Sequence, residues 1–328
     1  MPQGSILGPL LFLIYINDLQ ATSDHLKTVL FADDSNLLLR GTDLTTSQNK
    51  LNEELAKVSD FFKANKLKLN ATKTKLVCFR KKSSNFNADD YQIFMDGVQL
   101  KFEEQASFLG ITIDSHLTWE AHGNNVANKI SRNSSMINRV KKILPPASLK
   151  ILYSSFILPH LQYGAAIWGG YPTKSRKRII SIQKRIIRTI TKSYFIAHSE
   201  PRLKRMKLLK FNDIYELQCL TYIHDSIYNR APKILDSIVT REQEGHNYHF
   251  RNHERNPLNL KVPASRTNIS KFSCTVQGPK LWNTFPNEFK LINQKHIFKS
   301  QIRNFTLNKY HWRNDCNNPR CRDHRHHT

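Results

Sequence analysis

Phe31-Ala32-Asp33-Asp34 sets two carboxylates on consecutive residues between two short apolar runs, residues 28–31 and 36–39. Such runs around a polar pair are the pattern of a β-hairpin with its acids at the turn. Two ionised carboxylates held side by side repel each other unless a cation sits between or beside them. Hard oxygen donors suit Mg²⁺, which keeps several waters and is bound through one or two carboxylates together with substrate phosphates. The chemistry to expect of such a pair is metal-dependent phosphoryl transfer. Aspartate is also an ordinary turn residue, because its side chain bonds to nearby backbone. The dipeptide alone therefore leaves both readings open. Near the end of the chain, Cys316, Cys321, His324, His326 and His327 have ligand types suited to Zn²⁺. Their spacing matches no standard zinc knuckle, so a polar tail without Zn²⁺ is expected. His160 and His198 stand alone and read as structural.

The elements that must position these groups change character along the chain. The first 120 residues read as mixed α/β. A helix is expected over residues 9–19, with Gly4 or Ser5 as its cap. Leu51, Leu55, Val58 and Phe62 recur at helical spacing. Leu67 and Leu69, then Leu76, Val77 and Phe79, read as short strands around a polar turn, and Phe108, Leu109, Ile111 and Ile113 form an apolar run around Gly110. From residue 124 the period becomes helical. Val126, Ile130, Ile137, Val140 and Leu144 mark one helix, stopped by Pro145-Pro146. A second is expected over residues 147–157. A third, over 174–192, puts Ile179, Ile182, Ile186 and Ile190 on one face and Lys177, Arg178, Lys184, Arg185, Arg188 and Lys192 on the rest.

Composition narrows the partners. The 328 residues carry a net charge of +24. Residues 1–120 hold 13 basic and 15 acidic side chains, whereas residues 121–328 hold 37 basic and 11 acidic. Within residues 121–210, 19 basic side chains face one acid, Glu200. A field of that sign gathers polyanions, and no apolar amphipathic face with aromatic anchors accompanies it to favour a membrane surface. The longest apolar stretch, residues 6–16, is broken by Gly8 and Pro9 and is too short to span a bilayer. Five widely spaced cysteines give no disulfide framework and fit a reducing interior.

Ordered blocks decide what the acidic pair alone does not. Residues 2–12 (PQGSILGPLLF), 15–19 (YINDL) and 30–34 (LFADD) strongly resemble the palm of reverse transcriptases from non-LTR, LINE-type retrotransposons of the jockey-like group. Residues 65–75 (NKLKLNATKTK), 108–119 (FLGITIDSHLTW), 153–168 (YSSFILPHLQYGAAIW) and 278–283 (GPKLWN) continue the resemblance in the same order. It implies an α+β fold, with part of a right-hand polymerase palm over residues 1–120, a helical basic thumb over 121–200 and a C-terminal domain over 201–328. It also implies RNA-templated DNA synthesis, with an RNA template, a DNA primer and deoxynucleotides as partners and Mg²⁺, or Mn²⁺ in its place, as cofactor. On this resemblance Asp33 and Asp34 hold the metal, and Gln3, Gly4, Ser5, Phe31, Ala32 and Asn70 lie beside template and incoming nucleotide. Phe108, Leu109 and Gly110 hold the primer end, and the basic face of residues 174–192 meets the nucleic-acid backbone. Lys73 is either a charge and proton source near the leaving pyrophosphate or an exposed lysine at a helix start. The GPKLWN block reads as packing.

The resemblance also sets an expectation of incompleteness. Members of the group continue upstream of Gln3 into fingers and the rest of the palm, with a third metal-binding aspartate there. Polymerisation by this chain alone is therefore expected to be poor or absent. The alternatives are a basic nucleic-acid-binding remnant without catalysis and a maturase-type protein, the latter disfavoured by the GPKLWN block. A nuclear or cytoplasmic location follows by analogy with elements copied at chromosomal DNA.

Overall fold

The computed structural model describes residues 4–232 and 256–310. Packing divides the chain into two units. One comprises Met1–Ser107 with Asp114–His116, and the other Phe108–Ile113 with Leu117–Thr328. Helices and small sheets share the chain, an α+β composition.

The first unit opens with helix α1 (Gly8–Asn17), continued by a 3₁₀ turn over Asp18–Thr22. Neither Gly4 nor Ser5 caps it. Leu7 stands at the cap position without a side-chain bond, and Pro9 in the first turn, preset for helical φ, starts the helix instead. Strands β1 (Leu26–Phe31) and β2 (Asp34–Leu39) pair antiparallel. Helix α2 (Leu44–Ala64) begins where the Asp43 carboxylate accepts the Thr46 N–H at 2.7 Å. Its Leu55, Val58 and Phe62 pack with Ile16, Leu19 and Leu26 and with Ile93, Met95 and Leu100 of the hairpin β3 (Ile93–Met95) and β4 (Val98–Leu100). Most of α1 stays outside this core: Ile16 is buried, while Leu10, Leu11, Leu13, Ile14 and Tyr15 face water.

The strands expected around Leu67 to Phe79 do not form. Residues 71–73 make a 3₁₀ turn, and Leu76 alone pairs, in a single parallel bridge to Phe102. Leu67, Leu69 and Leu76 still pack on the α2 core, so the apolar residues satisfy burial without a ladder. The apolar run around Gly110 does form a hairpin, β5 (Gln105–Phe108) and β6 (Ile111–Asp114), and the unit boundary runs through it.

The second unit is helical. Helix α3 (Glu120–Val140) stops short of the proline pair, and α4 (Pro146–Phe156) begins on its second proline. The short α5 (Leu158–Gln162) and α6 (Ala165–Trp168) lead to α7 (Lys174–Ile190). Val126, Ile130 and Ile137 of α3 meet Ile179, Ile182, Ile186 and Ile190 of α7 in one core. Glu120 links the two starts, its carboxylate accepting the Ser175 N–H at 3.0 Å and the Ser175 hydroxyl at 3.3 Å. Helix α7 ends two residues before the expected Lys192, which turns left-handed (φ 51°).

Helices α8 (Ser199–Arg205) and α9 (Phe211–Ile227) carry the core onward. Gln183 of α7 binds both flanks from inside it. Its amide NH₂ donates to the Tyr153 hydroxyl (2.8 Å) and the Leu209 carbonyl (3.0 Å), and its oxygen accepts the Phe211 N–H (2.9 Å). Helices α10 (Asn268–Phe272), α11 (Cys274–Thr284), α12 (Asn287–Lys290) and α13 (Lys295–Asn308) close the described chain. The GPKLWN block lies in α11 and packs: the Trp282 indole donates to the Leu258 carbonyl at 2.9 Å, and Asn283 exchanges two hydrogen bonds with the Leu260 backbone. Among the described residues no helix is long and apolar enough to cross a membrane.

Candidate functional site

The register of β1 and β2, with Phe31 opposite Asp34, leaves Ala32 and Asp33 as a two-residue loop. Ala32 is left-handed (φ 49°), as tight hairpin loops demand. That conformation costs an L-residue about 1–2 kcal/mol, offset by the ladder on either side. Along the strands Leu26, Leu30, Leu37 and Leu39 turn toward the core of the first unit. The tip is thereby pushed into solvent: Phe31 is 59% exposed, and Ala32, Asp33 and Asp34 are exposed with it.

No described residue pairs with either carboxylate by hydrogen bond or ion pair. Two adjacent acids at an exposed hairpin tip are hard-oxygen donors whose mutual repulsion a divalent cation would relieve, and they fit Mg²⁺ or Mn²⁺. No group of three or more His, Cys, Asp or Glu side chains among the described residues is placed to hold one ion. The pair thus needs oxygens from elsewhere, such as waters and substrate phosphates, to complete a coordination shell.

Of the other expected site residues in this unit, Gly4 lies at an open turn (φ 89°) ahead of α1, and Ser5 follows it, half-buried. Gln3 lies outside the described residues, as do Cys316, Cys321 and the terminal histidines. Asn70 and Lys73 share one turn. The Asn70 side-chain oxygen accepts the Thr72 hydroxyl at 2.7 Å and the Lys73 N–H at 3.3 Å. Asn70 therefore shapes the turn, and the exposed Lys73 side chain is left free to reach outward.

In the second unit Leu109 (φ 47°) and Gly110 (φ 76°) are both left-handed, the conformation of a tight hairpin loop. A residue that sequence reasoning missed fixes this loop: the Tyr163 hydroxyl donates to the Leu109 carbonyl at 2.6 Å across 54 positions of sequence. Next to it, Gly164 (φ 59°) packs so closely that a Cβ there would lie 2.5 Å from Ile111 Cδ1. The one sequence signal was the Tyr-Gly dipeptide, whose glycine sits where the chain must reverse before α6.

The basic face of α7 divides in two. Lys177 and Lys184 are exposed, and Arg178 donates to Asn128 of α3 at 2.9 Å. Arg185, Arg188 and Lys192 instead line a groove of about 600 Å³ together with Lys141, Lys142 and Phe195. Lys141 and Lys142 were not singled out from sequence, although a Lys-Lys pair between a helix end and a proline stop was the available signal. Arg188 is anchored, its Nε donating to the Ala197 carbonyl at 2.7 Å. Burial first, and Arg202 second, lower its pKa below the usual guanidinium value.

Residues 1–113 match the family described as reverse transcriptase (RNA-dependent DNA polymerase). Among curated proteins, the chain is 31% identical over 202 residues to a probable RNA-directed DNA polymerase from transposon BS of Drosophila melanogaster, covering 58% of this chain and 22% of that protein. It is 24% identical over 246 residues to a probable RNA-directed DNA polymerase from transposon X-element of the same fly, covering 73% and 26%. To the RNA-directed DNA polymerase from mobile element jockey it is 23% identical over 224 residues, covering 65% and 24%. The chain spans about a quarter of the length of these relatives. No solved structure shows significant similarity to it.

Proposed function

Because the chain carries a reverse-transcriptase sequence over residues 1–113 and resembles jockey-like retrotransposon polymerases over most of its length, we propose that it serves as the metal-binding hairpin and nucleic-acid-holding part of an RNA-directed DNA polymerase. The observation that carries this reading is the Asp33-Asp34 pair at the exposed tip of the β1–β2 hairpin, without a partner among the described residues, inside the matching segment. Asp33 and Asp34 hold Mg²⁺ or Mn²⁺ there; bound divalent ions supply the positive charge that stabilises the attacking 3′-oxygen and the leaving pyrophosphate of nucleotidyl transfer. The protein's own task is placement, since phosphoryl transfer asks it for position and charge rather than covalent chemistry.

In this reading residues 1–120 are part of a palm, 121–200 a thumb and 201–328 a C-terminal domain. Gln3, Gly4, Ser5, Phe31, Ala32 and Asn70 border the template and incoming deoxynucleotide, with Lys73 contributing charge or a proton at the pyrophosphate. Phe108, Leu109 and Gly110, braced by Tyr163, hold the primer end, and the α7 cations meet backbone phosphates. The work takes place inside the cell, in the nucleus or cytoplasm. With two carboxylates as the donors among the described residues, metal affinity without nucleotide is low and primer extension by this chain alone is poor or absent.

Mn²⁺ titration of the purified chain, with and without a deoxynucleoside triphosphate, tests the site. The expected result is binding that strengthens with nucleotide and is lost in Asp33→Asn. Equal binding by wild type and Asp33→Asn would overturn it. In a parallel primer-extension assay, efficient extension abolished by Asp33→Asn would support the site while overturning the claim of poor activity alone.

A second reading, a basic nucleic-acid-binding element without catalysis, draws on the excess of 37 basic over 11 acidic residues beyond residue 120. Salt-dependent nucleic-acid binding with no Asp33-dependent metal site would favour it.

A further inference from the structure

Where α3 and α7 end, Lys141, Lys142, Arg185, Arg188 and Lys192 line one groove of about 600 Å³, and no described acid lines it with them. Cations at helix C-termini are ordinarily favoured by the helix dipole, which accounts for a lysine or two there. Five cations lining one groove repel one another, and an anion entering the groove relieves that repulsion. A lone phosphate is satisfied by two or three donors. Five lining one groove suit a chain of phosphates.

The remaining wall discriminates between kinds of chain. Phe195 is 84% exposed and lines the same groove. In a duplex the base faces are stacked on each other, and a phenyl ring meeting the backbone finds nothing to stack on. A single strand offers an open face at every base, and stacking on aromatic side chains beside a basic groove is how unpaired strands are held without sequence preference.

We propose that this groove binds single-stranded nucleic acid, with an unpaired base stacked on Phe195 and the neighbouring phosphates on Lys141, Lys142, Arg185, Arg188 and Lys192. The proposal rests on the reading of the second unit as a nucleic-acid-holding element and specifies the form of strand that it takes. The groove then holds a segment of template or displaced strand that is not paired.

The test is fluorescence anisotropy with the full chain, using a short labelled single strand and the duplex of the same sequence over a range of salt. The single strand binds more tightly to wild type. Phe195→Ala weakens single-strand binding about tenfold and leaves duplex binding within about twofold. Phe195→Trp retains single-strand affinity, while Phe195→Leu behaves like alanine. Lys142→Gln and Lys192→Gln each reduce the slope of log affinity against log salt by about 0.7 for the single strand. Unchanged single-strand binding in Phe195→Ala, or full rescue by leucine, overturns stacking. If wild type binds duplex as tightly as single strand and the Phe195 variants change nothing, the inference fails while the broader reading of the unit stands. If wild type binds neither form, both fail.

Discussion

The packing of Gly164 against Ile111 gives a prediction whose size and sign can be worked from two distances. A methyl group at residue 164 meets Ile111 Cδ1 at 2.5 Å, and the next atom, Ile111 Cγ1, lies at 3.5 Å, an ordinary contact. Gly164→Ala therefore carries two separable costs. The left-handed backbone (φ 59°) strains any L-residue by about 1–2 kcal/mol. Forcing the buried Ile111 side chain aside adds about 1–3 kcal/mol, and the reduced freedom of the unfolded chain returns about 0.4–1 kcal/mol. The single variant should be destabilised by about 1–5 kcal/mol. Ile111→Val removes the clashing Cδ1 atom at a cost of about 1 kcal/mol. In the double variant the clash disappears and the backbone strain stays, so the total falls short of the sum by about 1–3 kcal/mol. Urea unfolding followed by tryptophan fluorescence reads the right unit, because Trp119, Trp168 and Trp282 belong to the second one. Additivity within about 0.5 kcal/mol would refute the reasoning, since the clash would then not be the source of the cost.

Two further variants probe the same unit. Gln183→Leu leaves the Tyr153 hydroxyl, the Leu209 carbonyl and the Phe211 N–H without their partner in a buried setting, and should cost about 3–5 kcal/mol, read by calorimetry as a melting point lower by roughly 10 °C; a shift under roughly 2 °C would show that the network is replaceable. Burial first, and Lys129 second, push the His122 pKa down from 6.5 to about 4. The folded value lies below the unfolded one, so His122 contributes its full stability above about pH 6.5 and loses it as pH falls toward 4. The urea midpoint should drop across that window, and less so in His122→Asn; an identical pH profile in the variant would assign the drop to other groups.

Much of the frame was legible because it is local. The hairpin around Asp33-Asp34 follows from two apolar runs and a polar pair, and α7 follows from isoleucines at helical spacing on a basic background. Residues 67–79 misled because apolar spacing reports burial, and burial there is met by docking on α2 with a single bridge instead of a ladder. The capping role assigned to Gly4 or Ser5 failed because Pro9 presets the first turn. What sequence could not reveal is what distance in sequence hides. Tyr163 reaches Leu109 over 54 positions, and Lys141 and Lys142 join Arg185 and Lys192 only once α3 and α7 lie side by side. Charge counting located the basic region, and only the fold gathered five of its cations around Phe195.

The open apolar surface of α1 has a consequence at the bench. Leu10, Leu11, Leu13 and Ile14 stand in water, and their tendency to stick to other surfaces grows in salting-out ions. Nucleic acid held by the cations of the second unit, as proposed, would behave oppositely, coming off as ionic strength rises. If the groove binds nucleic acid as proposed, one purification buffer works against itself: salt strong enough to strip nucleic acid from it is salt that drives the leucines of α1 together. Moderate chloride with nuclease and a mild non-ionic detergent would separate the two effects.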